Sequence, residues 1–463
     1  MLKLTSRLSL YAVVKFGLTA LLFAIPLYPK FPLFSIPGTF VAVRVEDFLI
    51  LIVAFFWTLY IFPKVKIILR EKISRSVILF FIISFISILS ASLVTKTVLP
   101  HLAVLHWLRR IEYMLVFFIA ATVIKSEKDI AFFIKCLVIV VVLAFIYGLG
   151  QKYLYWPVIT TQNMEYSKGI ALIYTPGGHL ASTFAGHYDL ASFLVLVLPL
   201  MFVLFFTNLP LGNAKTRLIS FMGVACGFWL LVNAASRISF ASYLVSVSLA
   251  LIFIRKVKFI PVVIIISIVL AGSSMSLVSR YTQIFEVTVK RVLGISDEKI
   301  LFVVESVHAQ ELGFPQRRAD SESPEPTPIP IFEDRSTSIR FNVEWPRALR
   351  ALSKNPLLGT GFSSITLATD NDYLRLLGEI GILGFLAFIL IFIRLLSQLV
   401  KVFPIPRKIE LSQAYTVTII AALPGVFLNA LFIDIFEASK FAIMFWFLIG
   451  VAYAGVNLVK KTT

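Results

Sequence analysis

The sequence predicts an all-α, polytopic integral membrane bundle of about twelve transmembrane helices with one large extracytoplasmic loop. Three observations carry that expectation. Of 463 residues, 59% are hydrophobic and only 15% charged, and the mean hydropathy is +0.91, which leaves too little polar surface to cover a soluble globule. Apolar runs close to the ~20 residues that cross a bilayer as a helix recur along the whole chain, each able to satisfy its own backbone hydrogen bonds. Cations alternate from loop to loop. With the N-terminus inside, Lys64, Lys66, Arg70, Lys72 and Arg75 fall in a cytoplasmic loop, as do Lys125 and Lys128, Lys215 and Arg217, Arg255 to Lys258, Lys401 to Lys408, and finally Lys460 and Lys461. Both termini are therefore expected in the cytoplasm. The net charge of +18 reflects this orientation rather than a nucleic-acid partner.

In order, spans are expected near residues 8–27, 45–62, 76–94, 103–124, 130–149, 189–207, 217–235, 238–254, 259–278, 376–396, 412–432 and 440–458. Lys3 and Arg7 before the first apolar run resemble a secretory signal. The run is too long, and no small-residue cleavage site precedes Pro26, Pro29 and Pro32, so it reads as a retained helix. Cys136 and Cys226 both lie in apolar runs and are expected as small core residues.

The chain divides into residues 1–278 with about nine helices, a large outer loop over 279–375, and residues 376–463 with about three helices. Inside the loop, residues 313–334 mix Pro, Ser and Glu and cannot bury enough apolar surface to order themselves. Leu277 to Val304 and Ser338 to Ser353 have helical periodicity. A smaller outer loop, near 150–188, carries Trp156 and tyrosines that fit an interfacial belt.

Orientation gives the large loop no reason to be basic, yet it holds Arg280, Lys290, Arg317, Arg335, Arg340, Arg347, Arg350 and Lys354, among others. Arg340 and Arg347 are seven residues apart and would share a helix face near Trp345, with Arg350 close by. Planar guanidinium groups grip phosphate oxygens bidentately, which suits a multiply anionic ligand; a solvated helix face is the alternative. Arg237 lies where two apolar runs meet. An arginine beside hydrocarbon is costly unless it is paired, faces a polar cavity or snorkels to headgroups.

A third group follows Leu357-Leu358-Gly359-Thr360-Gly361: Asp370, Asn371, Asp372 and Tyr373 sit at the mouth of the tenth span. A carboxylate there suits a general base on a hydroxyl, with arginines nearby for a departing phosphate. Helix capping by Asp370 or Asn371 is the competing role. His101, His106, His179, His187 and His308 have no spacing that suits a zinc site.

Four stretches in this order, Ser182 to Leu200, Asn233 to Leu244, Arg340 to Phe362 and Asp370 to Phe388, resemble the O-antigen ligase and polymerase family of bacterial membrane glycosyltransferases. The resemblance also covers the layout of about twelve spans and one dominant outer loop. It implies transfer of a glycan from an undecaprenyl-diphosphate carrier to a saccharide or glycolipid acceptor. The reaction would need no metal and no cofactor, and would occur at the outer face of the bacterial cytoplasmic (inner) membrane.

On that resemblance Arg237 and Arg340 hold the diphosphate, and Arg347, Arg350, Asn371, Tyr373, His187 and Trp345 are expected to line the substrates. Asp370 stands where ligases of the family present a histidine and is the expected base, which favours a repeat-unit polymerase or another branch. Two alternatives stay open. One is a transporter of a lipid-linked glycan or other anion, and the other is a metal-dependent transferase that uses a polyprenyl monophosphate sugar with Asp370 and Asp372.

Overall fold

The computed structural model describes residues 2–29, 31–36, 42–158, 172–207, 214–272, 274, 277, 282, 338–366, 368–406 and 409–462. Most of the expected Leu277 to Val304 helix, and the whole of the 313–334 insert, lie outside the described residues.

The helices fall where hydrophobic runs place them: α1 (Leu2–Leu27), α2 (Val45–Ile61), α4 (Lys72–Leu93), α5 (Pro100–Val123) and α6 (Glu127–Tyr153). A short α3 (Val65–Arg70) precedes α4. Then come α7 (His187–Phe206), α8 (Ala214–Ala234), α9 (Arg237–Phe253) and α10 (Ile260–Ala271). Within the large loop lies α11 (Trp345–Lys354), and then come α12 (Asp372–Leu399), α13 (Leu411–Ala430) and α14 (Ser439–Thr462).

One small departure from an all-helical chain is a two-stranded antiparallel sheet between β1 (Pro32–Ser35) and β2 (Ala42–Arg44). The prolines that close α1 explain it, because they cannot continue a helix and favour extended backbone.

Among the described residues, nine helices are long and apolar enough to cross a membrane. Three of the twelve expected spans fall short of that standard. α9 and α10 are shorter apolar helices, whereas α5 has the length but carries Arg109, Arg110 and Glu112 in its middle.

Burial sorts the bundle into a centre and a periphery. The apolar windows of α7, α13 and α14 are 89%, 83% and 83% buried, against 33% and 28% for α1 and α2. The central helices are accordingly apolar on all sides, as expected of helices surrounded by other helices.

One end of the bundle is tied together by polar contacts between helix termini. The Lys440 ammonium, fully buried at the start of α14, donates to the carbonyls of Pro26 in the last turn of α1, of Tyr28 just after it and of Thr183 before α7. Asp189 in the first turn of α7 accepts from the Phe441 backbone at 3.2 Å. Near the α9 start, Asn429 of α13 donates to Ser192 of α7 and Ser239 of α9, at 3.0 and 3.2 Å. The mouths of α7, α9, α12 and α14 and the far end of α13 therefore share one rim.

α12 is broken at Gly381, whose φ of 68° and ψ of −175° only glycine adopts readily. The Asn355–Gly361 loop fills the break. Ile382 and Leu383 donate to the carbonyls of Pro356 and Leu357, while Thr360 and Gly361 donate to those of Gly378 and Glu379. Backbone groups freed by the break are thus paired within the protein, which membrane depth demands.

Candidate functional site

The site grows from a wide turn of helix before α11. Residues Arg340–Glu344 form a π turn, in which the Trp345 amide donates to the Arg340 carbonyl. Pro346 supplies the cause: it has no N–H for the carbonyl four residues back, so the ladder widens there. The extra residue in the turn shifts the register between Arg340 and Arg347 away from the single face that regular spacing implies. Wide turns of this kind concentrate at functional sites.

Arg340 is nearly buried and reaches Asp370, which lies two residues before α12. Its Nε and Nη2 both donate to Asp370 Oδ2, at 3.0 and 2.8 Å. Asp370 holds a left-handed backbone at φ 49° and leaves 24% of its side chain exposed, so the pair opens outward on the carboxylate side. Burial opposes the Arg340 charge, but Asp370 and the Tyr188 hydroxyl, which accepts from it, outweigh burial and hold the guanidinium firmly protonated. Burial also lifts the Asp370 carboxyl above its usual range; Asp434 adds to this and Arg340 opposes it.

Glu344 stands in the same field. Burial first, then the charges of Asp370 and Asp434, push its carboxyl up to about 7, against the pull of Arg340 and Arg347. Its Oε2 is buried without a hydrogen-bond donor among the described residues. Trp345 packs on Phe341, with ring centroids 4.5 Å apart, and on Phe432 at 6.4 Å. His187 stacks on His179 at 4.3 Å and lies against Tyr188 at 3.9 Å. This brings the two-histidine stack to the same rim as the ion pair.

The expected residues divide on inspection. Arg340, Asp370, Trp345 and Arg347 gather around the wide turn, and His187 reaches it through Tyr188. Arg237 opens α9 just after its cap Ser236, on the same rim. Arg350 lines a neighbouring cleft with Arg347.

Asn371 and Tyr373 are otherwise engaged. The Asn371 side chain caps α12 by accepting from Leu374 at 2.9 Å, and the Tyr373 hydroxyl donates to the Phe427 carbonyl at 3.0 Å. Both were expected to touch substrate; their polar atoms instead satisfy backbone groups that the helix ends expose. Asp372 likewise accepts from the amides of Ile435 and Phe436, so the Asp370 and Asp372 carboxylates point to different partners.

Asp434, which the sequence reading missed, returns the favour. It accepts from the amides of Thr369 and Asn371 and from Arg375 Nη1, at 2.8, 2.9 and 2.9 Å. Behind it Arg375 also faces Glu379 and Glu437, and Arg110 pairs with Glu437. The reciprocal clamp fixes the Thr369–Asp372 segment, and with it Asp370, against the turn between α13 and α14.

Residues 200–389 match the family model for O-antigen ligase. Over this stretch the chain is similar to the O-antigen ligase family. It runs from within α7 to within α12 and so includes Arg237, Arg340, Glu344, Arg347 and Asp370. His187, Tyr188 and Asp434 lie outside it, although the structure brings them to the same rim. No match was found among curated proteins. The O-antigen ligase match supports a glycosyltransferase-type enzyme of polysaccharide assembly, working on a lipid-linked glycan in a multi-pass membrane setting.

Proposed function

We propose that the chain transfers a saccharide from an undecaprenyl-diphosphate carrier to a sugar hydroxyl, at the outer face of the bacterial cytoplasmic membrane, during surface polysaccharide assembly. The observation that carries the reading is the buried Arg340 and Asp370 pair, open on its carboxylate side and flanked by Glu344. The O-antigen ligase match supports it over residues that include all three. Both termini lie in the cytoplasm in this reading, with the rim facing outward.

Arg340, with Arg237 on the same rim, holds the diphosphate of the carrier. A guanidinium kept charged in a half-dry setting stabilises the negative charge that grows on the leaving group. The acceptor oxygen attacks the anomeric carbon as its bond to the diphosphate oxygen breaks, and the electron pair leaves with the diphosphate. Configuration at that carbon inverts. No metal is required in this scheme, because the arginines supply the positive charge.

The acceptor proton needs a base. Asp370 was the sequence's choice, but two N–H groups of Arg340 already occupy one of its oxygens, so we assign it the task of aiming that guanidinium. Glu344 takes the proton. A carboxylate that titrates near neutrality combines availability with driving force better than one locked in an ion pair. Since only the deprotonated form accepts a proton, the rate should fall as pH drops below about 7. Glu344→Gln should remove that limb and cost about 100-fold in turnover, whereas Asp370→Asn should keep the limb. An unchanged pH profile in Glu344→Gln would return the role to Asp370.

Reconstitution with purified carrier-linked glycan tests the whole reading. Expected is a new covalent glycan product, formed equally well with a chelator present. Movement of glycan across the bilayer without product would favour a transporter, and loss of product with chelator would favour the metal-dependent alternative. The break in α12 does not itself argue for transport, because a loop of the same chain fills it.

A further inference from the structure

Beside the ion pair lies a second, distinct cleft of about 270 Å³, roughly nine times the ~30 Å³ share of one water molecule. Arg347, Arg350, Ala351 and Lys354 of α11 form one wall, and Thr97, Thr360 and Ser364 face them. None of its lining residues is acidic. Arg347 Nη1 is buried without a hydrogen-bond acceptor among the described residues.

The opposite wall is polar, yet its protons are already committed. Thr97 donates to the Thr360 carbonyl at 2.7 Å, Thr360 donates to the Gly378 carbonyl at 3.0 Å, and Ser364 lies 2.7 Å from the Thr360 hydroxyl. A neutral sugar would find few donors there. What remains for a ligand are two guanidinium groups and an ammonium, which recognise charge and planar or tetrahedral oxyanions. The Arg340 guanidinium differs, because Asp370 already answers its charge.

We propose that this cleft seats the acidic group, a carboxylate or a phosphate, of a saccharide in the acceptor. The inference rests on the transfer reading and deepens it by giving the acceptor a charge. Arg347 links the two places, since it lines the cleft while its charge also acts on Glu344. An acceptor anchored by its anion therefore brings a hydroxyl of a neighbouring sugar toward the proposed base. Such anchoring supplies the positional advantage that two-substrate reactions need.

The test is a calorimetric titration of the full chain in zwitterionic nanodiscs with glucuronate and with inorganic phosphate. At least one should bind, and the double variant Arg350→Gln, Lys354→Gln should bind it at least tenfold more weakly. Unaltered size-exclusion behaviour checks that the double variant is folded, and Arg350→Lys should recover part of the loss. No binding of either probe, or equal binding by the double variant, overturns the proposal. Displacement of the probes by discs containing phosphatidylglycerol overturns it in favour of a lipid headgroup site. Product formation without probe binding sinks the cleft alone; probe binding without any product sinks the transfer reading and leaves an anion site.

Discussion

Arg340→Ala is expected to lower glycan transfer by at least about 100-fold, the scale seen when one preorganised electrostatic donor is removed from a developing oxyanion. Three features concentrate the effect on this residue. Its guanidinium is almost fully buried, so water cannot replace it. It is held by Asp370 and by Tyr188, from two different parts of the chain. The π turn that presents it is built by Pro346 and does not depend on the arginine itself. Arg340→Lys keeps the charge but loses the fork, and should fall between the two. The measurement is initial rate with carrier-linked glycan, on protein whose membrane insertion and elution profile are unchanged. Wild-type turnover in Arg340→Ala and in Arg237→Ala would remove the basis for the assignment.

Gly381→Ala should cost about 3 kcal/mol or more of stability, and activity with it. A Cβ at this position would meet the Leu357 carbonyl oxygen at 2.3 Å and the Gly359 nitrogen at 2.6 Å, both backbone atoms with nowhere to go. The backbone also has the positive φ that side chains resist. Gly177 separates the two contributions: its φ is +81°, yet a Cβ there would have nothing within 4 Å. Gly177→Ala should therefore report strain alone, about 1 kcal/mol. Thermal unfolding midpoints of the two variants in the same detergent read the difference. If Gly381→Ala melts with Gly177→Ala, the loop does not hold the break in α12 as described.

Much of the helical layout was legible because a membrane leaves the backbone few choices. Hydropathy alone placed α2 at Val45–Ile61 and α13 at Leu411–Ala430 within a residue or two of the expected bounds. α5 was placed as readily, although its charged middle only makes sense once Arg109 meets Asp47 and Arg110 meets Glu437. The β1 and β2 pair went unforeseen, since four- and three-residue strands leave almost no periodic signal.

The site was legible in its cations and obscure in its pairings. Arg340 stood out because a loop expected on the outer side of the membrane has no orientational need for positive charge. Its embrace of Asp370 depends on a positive φ and a π turn, and neither has a reliable pattern in residue order. Asp434 was missed although a signal existed: Asp434 and Glu437 interrupt an otherwise apolar stretch between two spans, which marks such carboxylates for attention. Glu344 was hidden by its arginines. It reads as one more charge on a solvated helix until burial is known.

The buried Lys440 has a consequence for how the protein comes into being. It lies 412 positions beyond Tyr28, yet it grips carbonyls at the end of α1 and just before α7. Asp434, only six positions earlier, is what steadies the segment bearing Asp370. A ribosome therefore delivers α1 to α12 before either fastener exists. The rim takes its shape only once the hairpin of α13 and α14 has been made, so a chain that stops short of it lacks the contacts that fix Asp370.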